Sequence, residues 1–241
     1  MSTPEKEYSA STTTVMLLAA GKGKRMLPLT KHQPKPLLKV GEHSLIEHHL
    51  IRLSNFGFKQ IVINTAYLGT MIHKHLGNGE CFGLNIEYSD ESISGALETA
   101  GGLAKALPLI ESDPFLVINA DIWTDFDFTA LLKPLEKAGR LVMVTNPSHN
   151  QSGDFSLDEN NLLINKLTSS SQTLTFSGIA LYRKKIYADL AIEKQALLPI
   201  FNTLIDKQQL EGQAYSGIWN DIGTPDRLNS INQMYAAAKS S

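Results

Sequence analysis

Residues 15–37 of this chain read V-M-L-L-A-A-G-K-G-K-R-M-L-P-L-T-K-H-Q-P-K-P-L. The run at 15–20 is apolar without alternation and ends at a glycine, which is typical of a fully buried strand. Two glycines and five cations follow the run: Gly21, Lys22, Gly23, Lys24, Arg25, Lys31 and Lys35. Backbone N–H groups and fixed cations at the carboxyl end of a strand predict a polyphosphate site.

Other interpretations of this loop are a solvated basic turn, a P-loop and a dinucleotide fingerprint. A Gly-x-Gly turn alone is not specific, so the solvated turn stays open at this point. A P-loop needs four residues between its glycines and then Gly-Lys-Ser/Thr, which this stretch does not contain. The dinucleotide fingerprint fails because Met26 stands where its third glycine belongs.

The composition is that of an ordinary globular protein, with 42% hydrophobic and 19% charged residues among 241. A formal net charge of −2 argues against nucleic acid as a partner. One cysteine, Cys81, excludes an internal disulfide framework and favours a reducing cytoplasm. No apolar run is long enough to span a membrane, and the polar residues 1–14 indicate a disordered tail rather than a signal peptide.

Strand and helix patterns alternate through the first part of the chain. The strands are predicted at 15–20, 37–40, 60–64, 84–88, 115–119 and 140–145, and the helices at 44–55, 70–76, 94–107 and 127–137. Ser44 and Glu47 form a capping box at the start of the first helix. This alternation predicts an α/β fold, a Rossmann-like and mostly parallel sheet with helices on both faces.

From residue 146 the pattern changes to a β-rich one. It predicts a hairpin at 153–165, a strand at 174–182, a helix at 193–209 interrupted at Pro199, and a strand reaching Asp221. Thr224 and Pro225 predict the start of a terminal helix. We therefore expect one domain over 15–241, with a first half at about 15–145 and a second half at about 146–241.

Two aspartates follow apolar strands at distant points of the chain. Asp121 comes after the strand at 115–119, and Asp221 ends a later strand. Ligands bind at strand ends in open α/β sheets, and Mg²⁺ accepts one or two carboxylates with phosphate oxygens completing its shell. The alternative is that each aspartate is a turn or helix-cap residue. The cationic loop favours the Mg²⁺ interpretation, for Asp121 first.

Four segments of the chain together resemble the motifs of the sugar-1-phosphate nucleotidyltransferases. They are L-A-A-G-K-G-K-R-M-L-P-L-T at 18–30 with P-K-P-L at 34–37, L-E-T-A-G at 97–101, N-A-D at 119–121 and W-N-D-I-G-T at 219–224. They occur in the family's order over most of the chain. The resemblance implies the nucleotide-diphospho-sugar transferase fold, with a small β-rich insertion that binds the sugar.

Within that family the chain most resembles the N-acetylmuramic acid 1-phosphate uridylyltransferases of peptidoglycan (cell wall) recycling. The supporting features are the short length and the segments 88–89, 123–125, 152–155 and 173–179. The resemblance implies that UTP and a sugar 1-phosphate react with Mg²⁺ as cofactor to give a UDP-sugar and pyrophosphate. It also implies a monomer or small homo-oligomer without a nucleic-acid or membrane partner.

The resemblance also implies roles for single residues. Arg25 and Lys35 are expected to be catalytic because they neutralise the reacting phosphates, and Asp121 and Asp221 are expected to hold the metal. The nucleotide-binding residues are Leu18, Ala19, Ala20, Gly21, Gly23, Lys35, Glu98 and Thr99. The sugar-binding residues are Asn119, Asp154, Ser177 and Gly178.

Three points stay open in the sequence. The base and sugar could instead be those of a mannose-1-phosphate guanylyltransferase, a glucose-1-phosphate thymidylyl- or uridylyltransferase or a phosphocholine cytidylyltransferase. The chain could also be a non-catalytic nucleotide-binding module instead of an enzyme. The presence of the cations Arg25 and Lys35 and of the aspartates Asp121 and Asp221 argues against that alternative. Lys166 and Arg183 are the candidate cations for a lactyl carboxylate, and Lys166 lies where the family's Glu-Lys-Pro segment is altered.

Overall fold

The computed structural model describes residues 8–165 and 172–239. The strands are β1 (Val15–Leu18), β2 (Lys39–Val40), β3 (His43–Ser44), β4 (Gln60–Thr65), β5 (Asn85–Asp90), β6 (Phe115–Asn119), β7 (Ile122–Thr124), β8 (Gly139–Val144), β9 (Ser156–Leu157), β10 (Leu163–Ile164), β11 (Thr175–Tyr182), β12 (Leu210–Tyr215) and β13 (Trp219–Asp221). The helices are α1 (Leu45–Asn55), α2 (Gly69–Leu76), α3 (Glu98–Ala106), α4 (Leu198–Asp206) and α5 (Pro225–Lys239).

The central sheet has seven strands in the order β12-β8-β11-β6-β1-β4-β5. Strands β6, β1, β4 and β5 pair in parallel, as do β8 and β12. Strand β11 is antiparallel to both of its neighbours. The predicted α/β fold with a mostly parallel sheet is therefore confirmed.

The strand order places a crevice beside β1. The chain runs from β1 to β4 and β5 on one side and then returns to β6 on the other side of β1. Connections that leave in opposite directions open a crevice at the carboxyl ends of the two strands where they part. Leu18, the last residue of β1, lies in register with Asn64 of β4 and Asn119 of β6. The loop of residues 19–37 therefore begins at this crevice.

Helices cover both faces of the sheet because successive side chains of each strand point to opposite faces. Val15 and Leu17 pack with α1 and α2, whereas Met16 packs with α3 and α4. Helix α1 begins with the predicted capping box, in which Ser44 Oγ accepts the Glu47 N–H at 3.4 Å and a Glu47 oxygen accepts the Ser44 N–H at 2.6 Å.

Several predicted elements differ from the structure. The helix expected at 127–137 is only a 3₁₀ turn, Phe128–Leu131, because Pro134 cannot donate a helical hydrogen bond. Helix α4 begins at Leu198 with Pro199 in its first turn, rather than being interrupted there. The short strand expected at 37–40 is a 3₁₀ turn followed by β2. Strand β12 had not been predicted to start as early as Leu210.

The predicted disordered tail extended to residue 14, whereas residues 8–14 are packed. Thr13 and Thr14 are buried, and Thr14 donates its N–H to Ser112 Oγ at 2.9 Å. The Tyr8 N–H donates to the Leu132 carbonyl at 3.1 Å. Residues 1–7 of that prediction lie outside the described residues. Within the part that is described, no helix has the length and apolar character needed to cross a membrane.

Candidate active site

A cavity of 680 Å³ opens at the carboxyl ends of β1 and β6. Its volume is within the range of about 300–1,000 Å³ that is usual for small-molecule sites. Its walls include most residues that the sequence predicted for nucleotide, sugar and metal: Leu18, Ala19, Ala20, Gly21, Gly23, Lys35, Glu98, Thr99, Asn119 and Asp121. The structure therefore brings these residues together, while their individual roles stay predictions.

A smaller cavity of 210 Å³ adjoins the first. Both cavities are lined by Gly21, Gly23, Lys24, Lys35 and Asp121. The smaller one is also lined by Arg25 and Gly223. The two cavities thus form one cleft, in which the cationic loop lies between a larger and a smaller compartment.

The geometry of the loop explains its two glycines. Gly23 has φ of 59°, and an added Cβ would lie only 3.0 Å from Thr30 and 3.2 Å from Lys35. The Gly23 carbonyl also accepts the Thr30 hydroxyl at 2.8 Å. An added Cβ on Gly21 would meet no atom within 4 Å, so this residue leaves its side of the cleft open. Gly23 shapes the loop, and Gly21 leaves room for a ligand close to the backbone.

Lys35 is held at the floor of the cleft. It lies in a 3₁₀ turn, Lys35–Leu37, that follows Pro34, and it is only 8% exposed. Its Nζ lies 2.5 Å from Asp121 Oδ2. Three further cations that line the cleft have no ion-pair partner within the described residues: Lys22, Lys24 and Arg25. The cleft therefore carries uncompensated positive charge, which suits a polyphosphate ligand.

A two-stranded ribbon brings the two predicted metal aspartates together. Strands β7 and β13 are antiparallel, with Asp221 opposite Ile122. The Ile222 N–H donates to the Asp121 carbonyl at 2.7 Å. Asp121 comes from the end of β6 and Asp221 from a strand near the C-terminus, so backbone pairing sets their relative position.

Arg52 of α1 supports this ribbon from behind. Its guanidinium donates to the Thr124 carbonyl, and to the Phe126 carbonyl at 2.6 Å. Burial lowers the pKa of Arg52, but a guanidinium remains protonated at neutral pH. The charge-assisted hydrogen bonds therefore persist and fix the segment that follows Asp121.

Asp221 is surrounded by cationic and hydrogen-bonding groups. Its Oδ1 pairs with the Arg227 guanidinium and lies 2.8 Å from His149 Nε2. Its Oδ2 lies 3.0 Å from the position that a Cβ would take on Gly223, and an Arg25 Nη2 lies 3.2 Å from the same position. Arg25 and Asp221 are thus neighbours across Gly223, beside the smaller compartment.

The aspartate pair fits a metal that is shared with a phosphate ligand. Among the described residues there is no cluster of three or more His, Cys, Asp or Glu that could form a complete protein site. Mg²⁺ is commonly held by one or two carboxylates together with substrate phosphate oxygens. Asp121 and Asp221 would supply that number of hard oxygen ligands beside the cationic loop.

The start of α3 forms another part of the cleft wall, with Glu98 and Thr99 among the lining residues. Glu98 has φ of 59°, a left-handed conformation that strains a residue with a side chain. Its carboxylate lies 3.3 Å from Lys194 Nζ. The segment that carries Lys194 is docked on the start of α3, since Gln195 donates to the Leu97 carbonyl at 3.0 Å and accepts the Ala100 N–H at 3.1 Å.

The predicted sugar residues are less uniform in their placement. Asn119 lines the larger cavity. Gly178 has φ of 79°, and a Cβ on it would overlap the Asn119 amide, so glycine is needed for this close approach. Ser177 is buried, and its carbonyl accepts the Trp219 indole N–H at 2.9 Å. Only Asn119 of these three presents its side chain to the cleft.

Asp154 is not among the residues that line either compartment. Its Oδ2 accepts the Phe176 N–H at 2.8 Å, and its Oδ1 accepts the Asn150 side-chain amide at 3.0 Å. Both carboxylate oxygens thus bond to the protein itself, and the residue joins the hairpin to β11.

The two cations considered for a lactyl carboxylate do not reach the cleft in the described structure. Arg183 follows the carboxyl end of β11, which is antiparallel, so it lies at the opposite edge of the sheet. Its guanidinium donates to the Leu135 carbonyl at 2.7 Å and to the Tyr8 hydroxyl at 2.9 Å. Lys166 lies outside the described residues.

The sequence analysis did not single out several residues at the site: Asn64, His149, Lys194, Gly223 and Arg227. Asn64 ends an apolar strand, which was a usable signal for a residue at the crevice. Lys194 and His149 lie in segments without a motif, so only the three-dimensional structure identifies them.

The comparisons with known proteins agree with this geometry. The family described as nucleotidyl transferase matches residues 14–157. An N-acetylmuramate alpha-1-phosphate uridylyltransferase of Neisseria meningitidis is 43% identical, over 93% of this chain and 99% of that protein. A protein of the same name from Caulobacter vibrioides is 32% identical, over 87% of this chain and 91% of that one.

Solved structures support the fold. A Bacillus anthracis structure described as a glucose-1-phosphate thymidylyltransferase in complex with sucrose superposes with a TM-score of 0.78 at 22% identity, covering 92% of this chain and 95% of that one. The family match spans more than half of the chain, and it includes the phosphate loop and Asp121. The chain therefore belongs to the nucleotidyl transferase family and is an enzyme of the sugar-1-phosphate nucleotidyltransferase type.

Proposed function

We propose that this enzyme makes UDP-N-acetylmuramic acid and pyrophosphate from UTP and N-acetylmuramic acid 1-phosphate. The observation that carries the proposal is the 43% identity, over nearly the full length of both chains, to a protein named for that uridylyltransferase activity. The described cleft supports it because its loop carries the cations that a nucleoside triphosphate needs.

The reaction is an in-line displacement at the α-phosphorus of UTP. An oxygen of the sugar 1-phosphate forms the new bond to the α-phosphorus, and the bond to the α,β-bridging oxygen breaks to release pyrophosphate. The attacking phosphate is largely ionised near neutral pH, since the second pKa of a phosphate monoester is about 6. No general base is needed, so the enzyme has to align the two anions and neutralise their charge.

Lys35 is proposed to neutralise the reacting phosphates. Its ammonium is buried at the floor of the cleft and held there by Asp121. A fixed cation in a site of low polarity stabilises charge that develops in the transition state, with little reorganisation during the reaction. Lys35 would therefore act on the α-phosphate and on the incoming phosphate.

Arg25 is proposed to bind the β- and γ-phosphates and the leaving pyrophosphate. It lines the smaller compartment and has no ion-pair partner within the described residues. Its planar guanidinium can bind two phosphate oxygens at once. Gly21 and Gly23 would leave space for the triphosphate beside the backbone.

Asp121 and Asp221 are proposed to hold Mg²⁺, in a family that is typically metal-dependent. When bound, this ion would supply positive charge to the α-phosphate and help to fix its orientation. Until a metal is present, the cationic partners of the two carboxylates, Lys35 and Arg227, offset their charge.

The base of UTP is proposed to lie between the backbone of Leu18, Ala19 and Ala20 and the turn at Glu98 and Thr99. All of these residues line the larger cavity. The sugar is proposed to lie beside Asn119, next to Gly178. We also propose that the protein works in the cytoplasm, where its substrate UTP is made, and the exposed free thiol of Cys81 fits that reducing compartment.

The proposal is tested by measuring pyrophosphate release. The protein is incubated with Mg²⁺, one of UTP, dTTP, GTP or CTP, and one of a panel of sugar 1-phosphates. We expect the highest kcat/KM with UTP and N-acetylmuramic acid 1-phosphate. Release with mannose 1-phosphate and GTP, but not with this pair, would replace the proposal by the guanylyltransferase alternative. Binding of nucleotide without any release would favour the non-catalytic alternative.

A further inference from the structure

A fully buried carboxylate lies beneath the nucleotide cavity and is not used by the proposed reaction. Glu91 follows β5 and is 0% exposed. Its Oε1 accepts the Asn64 side-chain amide at 2.7 Å, and its Oε2 accepts the Leu97 backbone N–H at 2.8 Å. Within the described residues it has no cationic partner. Burying such a group is unfavourable unless hydrogen bonds compensate it, so its presence calls for a specific reason.

The hydrogen bonds continue from Glu91 to the other wall of the cleft. The Oδ1 of Asn64 accepts the backbone N–H of Ala19 at 2.8 Å. One chain of hydrogen bonds therefore links Ala19, Asn64, Glu91 and Leu97. Ala19 belongs to the loop that begins the first wall, and Leu97 immediately precedes Glu98 of the second wall. The chain connects the backbones of the two walls directly beneath the cavity.

The directions of these bonds require a carboxylate at position 91. Both ends of the chain, Ala19 and Leu97, are backbone donors. Asn64 accepts one hydrogen bond and donates one, so Glu91 receives a donor on each of its two oxygens. Only an ionised carboxylate accepts on both oxygens, because an amide or a protonated acid would direct a hydrogen at a donor.

Helix α3 packs closely against one side of this chain of hydrogen bonds. A Cβ on Gly102 of α3 would lie 2.8 Å from Glu91 Oε1 and 3.0 Å from the Asn64 side-chain nitrogen. The helix backbone thus closes over the bond between the two side chains on that side. A mismatch in donors and acceptors there is expected to displace the segments that the chain joins.

We propose that Asn64 and Glu91 are positioning residues that set the spacing between the two walls receiving the base of the nucleoside triphosphate. The inference rests on the proposed function for the location of the base. It concerns nucleotide affinity, because the linked backbones are those of Ala19, which is proposed to contact the base, and of Leu97, which precedes Glu98.

The first test uses single substitutions that keep size but change hydrogen-bond direction. Glu91→Gln places a donor against the Asn64 amide, and Asn64→Asp places an acceptor where a donor is needed by Glu91. Glu91→Gln leaves one buried mismatch, for which we expect the KM for UTP, or the Kd from calorimetry, to rise about 10-fold or more. Asn64→Asp sets two carboxyl groups side by side, a mismatch that one shared proton relieves, so the same rise is expected only at high pH. The KM for the sugar 1-phosphate should change less than about 2-fold.

The decisive test combines the two substitutions. In Asn64→Asp/Glu91→Gln the new carboxylate at position 64 accepts from both the Ala19 N–H and the new amide at position 91. The amide oxygen at position 91 then accepts the Leu97 N–H, so every donor again meets an acceptor. We expect the double variant to regain a UTP affinity within about 3-fold of the parent.

A matched control is Asn85→Asp on β5, which changes an exposed amide that donates to Gln60. It should leave the KM for both substrates unchanged. The proposal is overturned if the single variants bind UTP like the parent, or if the double variant binds no better than the weaker single variant. A single variant that fails to fold leaves the double variant as the test.

The experiment also separates this inference from the proposed function. If the parent enzyme prefers another nucleoside triphosphate, calorimetry is repeated with that nucleotide, and the same loss and rescue are expected. A change of preferred nucleotide therefore overturns the uridylyltransferase assignment alone. Absence of rescue with the nucleotide that does bind overturns the positioning role alone.

Discussion

The proposed nucleotide side, at about 15–145, and the proposed sugar side, at about 146–241, use their polar residues differently. On the nucleotide side, Lys24 and Arg25 line the cleft without an ion-pair partner in the described chain. On the sugar side, Asp154 directs both carboxylate oxygens to the protein's own N–H groups. The cations of the nucleotide side are available to a ligand, whereas the carboxylate of Asp154 joins the hairpin to the sheet.

This difference indicates which functional residues a family motif can identify. A phosphate group is bound by fixed cations and backbone N–H groups, so the loop can be recognised by residue type and spacing. A sugar is selected by the shape of a pocket, to which backbone and packing contribute as much as side chains. Substitutions on the first side should therefore change turnover, and those on the second side should change stability.

Metal removal should have the largest effect. With EDTA in excess, we expect pyrophosphate release to fall by about 10⁴-fold or more, because the charge that stabilises the α-phosphate is lost. Adding Mg²⁺ should restore it, and Asp221→Asn should lower activity even with Mg²⁺ present. Full activity in EDTA would contradict the proposed difference between the two sides, since the aspartate pair would then be structural like Asp154.

Lys35→Ala should have the second-largest effect on activity. We expect kcat to fall about 10²- to 10³-fold, as when one fixed charge-stabilising donor is removed from an active site. The melting temperature should change little, since the Asp121 carboxylate left behind is 37% exposed. Lys39→Ala, an exposed lysine four residues further along the chain, serves as the matched control and should keep full activity.

Arg25→Ala should have a smaller effect because this arginine is exposed. Losing charge-assisted hydrogen bonds to phosphate should lower kcat/KM for UTP about 10- to 100-fold. Arg25→Lys keeps the charge but not the two-point contact, so partial recovery is expected. If both variants equal the parent, Arg25 does not contact the triphosphate and the smaller compartment has another role.

Asp154→Asn tests whether the polar residue of the sugar side has a structural role. One of its two accepted hydrogen bonds is replaced by a donor facing a donor, for which we expect a loss of about 1–2 kcal/mol in the free energy of unfolding. The KM for the sugar 1-phosphate should change less than about 2-fold. Chemical denaturation and initial-rate kinetics measure the two quantities.

The matched control for this variant is Asp158→Asn. Asp158 also accepts two hydrogen bonds, from the backbone N–H groups of Asn160 and Leu162, but both reach the same oxygen, Oδ1. An asparagine can keep both of these bonds, so a smaller loss of stability is expected in Asp158→Asn than in Asp154→Asn. If Asp154→Asn instead raises the sugar KM without loss of stability, Asp154 contacts the sugar and the contrast between the two sides disappears.

Glu98→Gly should have the smallest effect. Glycine adopts the left-handed φ of this position without strain, so we expect the free energy of unfolding to rise by about 1 kcal/mol. The KM for UTP should rise a few-fold at the same time, because the variant loses the pair with Lys194. Gln208→Gly, at a left-handed residue outside the cleft, should give the stability gain alone.

The fold could be predicted in type because buried parallel strands have an uninterrupted apolar sequence. Val15–Leu18 and Phe115–Asn119 were visible for that reason, as was the capping box of α1. Local patterns failed where proline was decisive, as in the 3₁₀ turn at Phe128–Leu131 and the start of α4. Strand β12 has alternating burial and a glycine, and its pairing with β8 is a tertiary property.

In the candidate site, the sequence predicted those residues that can be identified from residue type and position along the chain. Lys35 and Asp121 could be named because each ends a recognisable segment, but their 2.5 Å contact could not be read from the sequence. Glu91 gave no signal, because a single glutamate after a strand is usually exposed. Its burial depends on Gly102 and Asn64, which come from other elements.

The ribbon of β7 and β13 has a consequence for folding. Its two strands come from distant parts of the chain, so the pairing of Ile122 with Asp221 carries the entropic cost of closing a long loop. We therefore expect contacts between segments that are closer in sequence to form earlier. A partly folded chain would then have Asp121 in place without Asp221 beside it, and activity would be among the last properties to return on refolding.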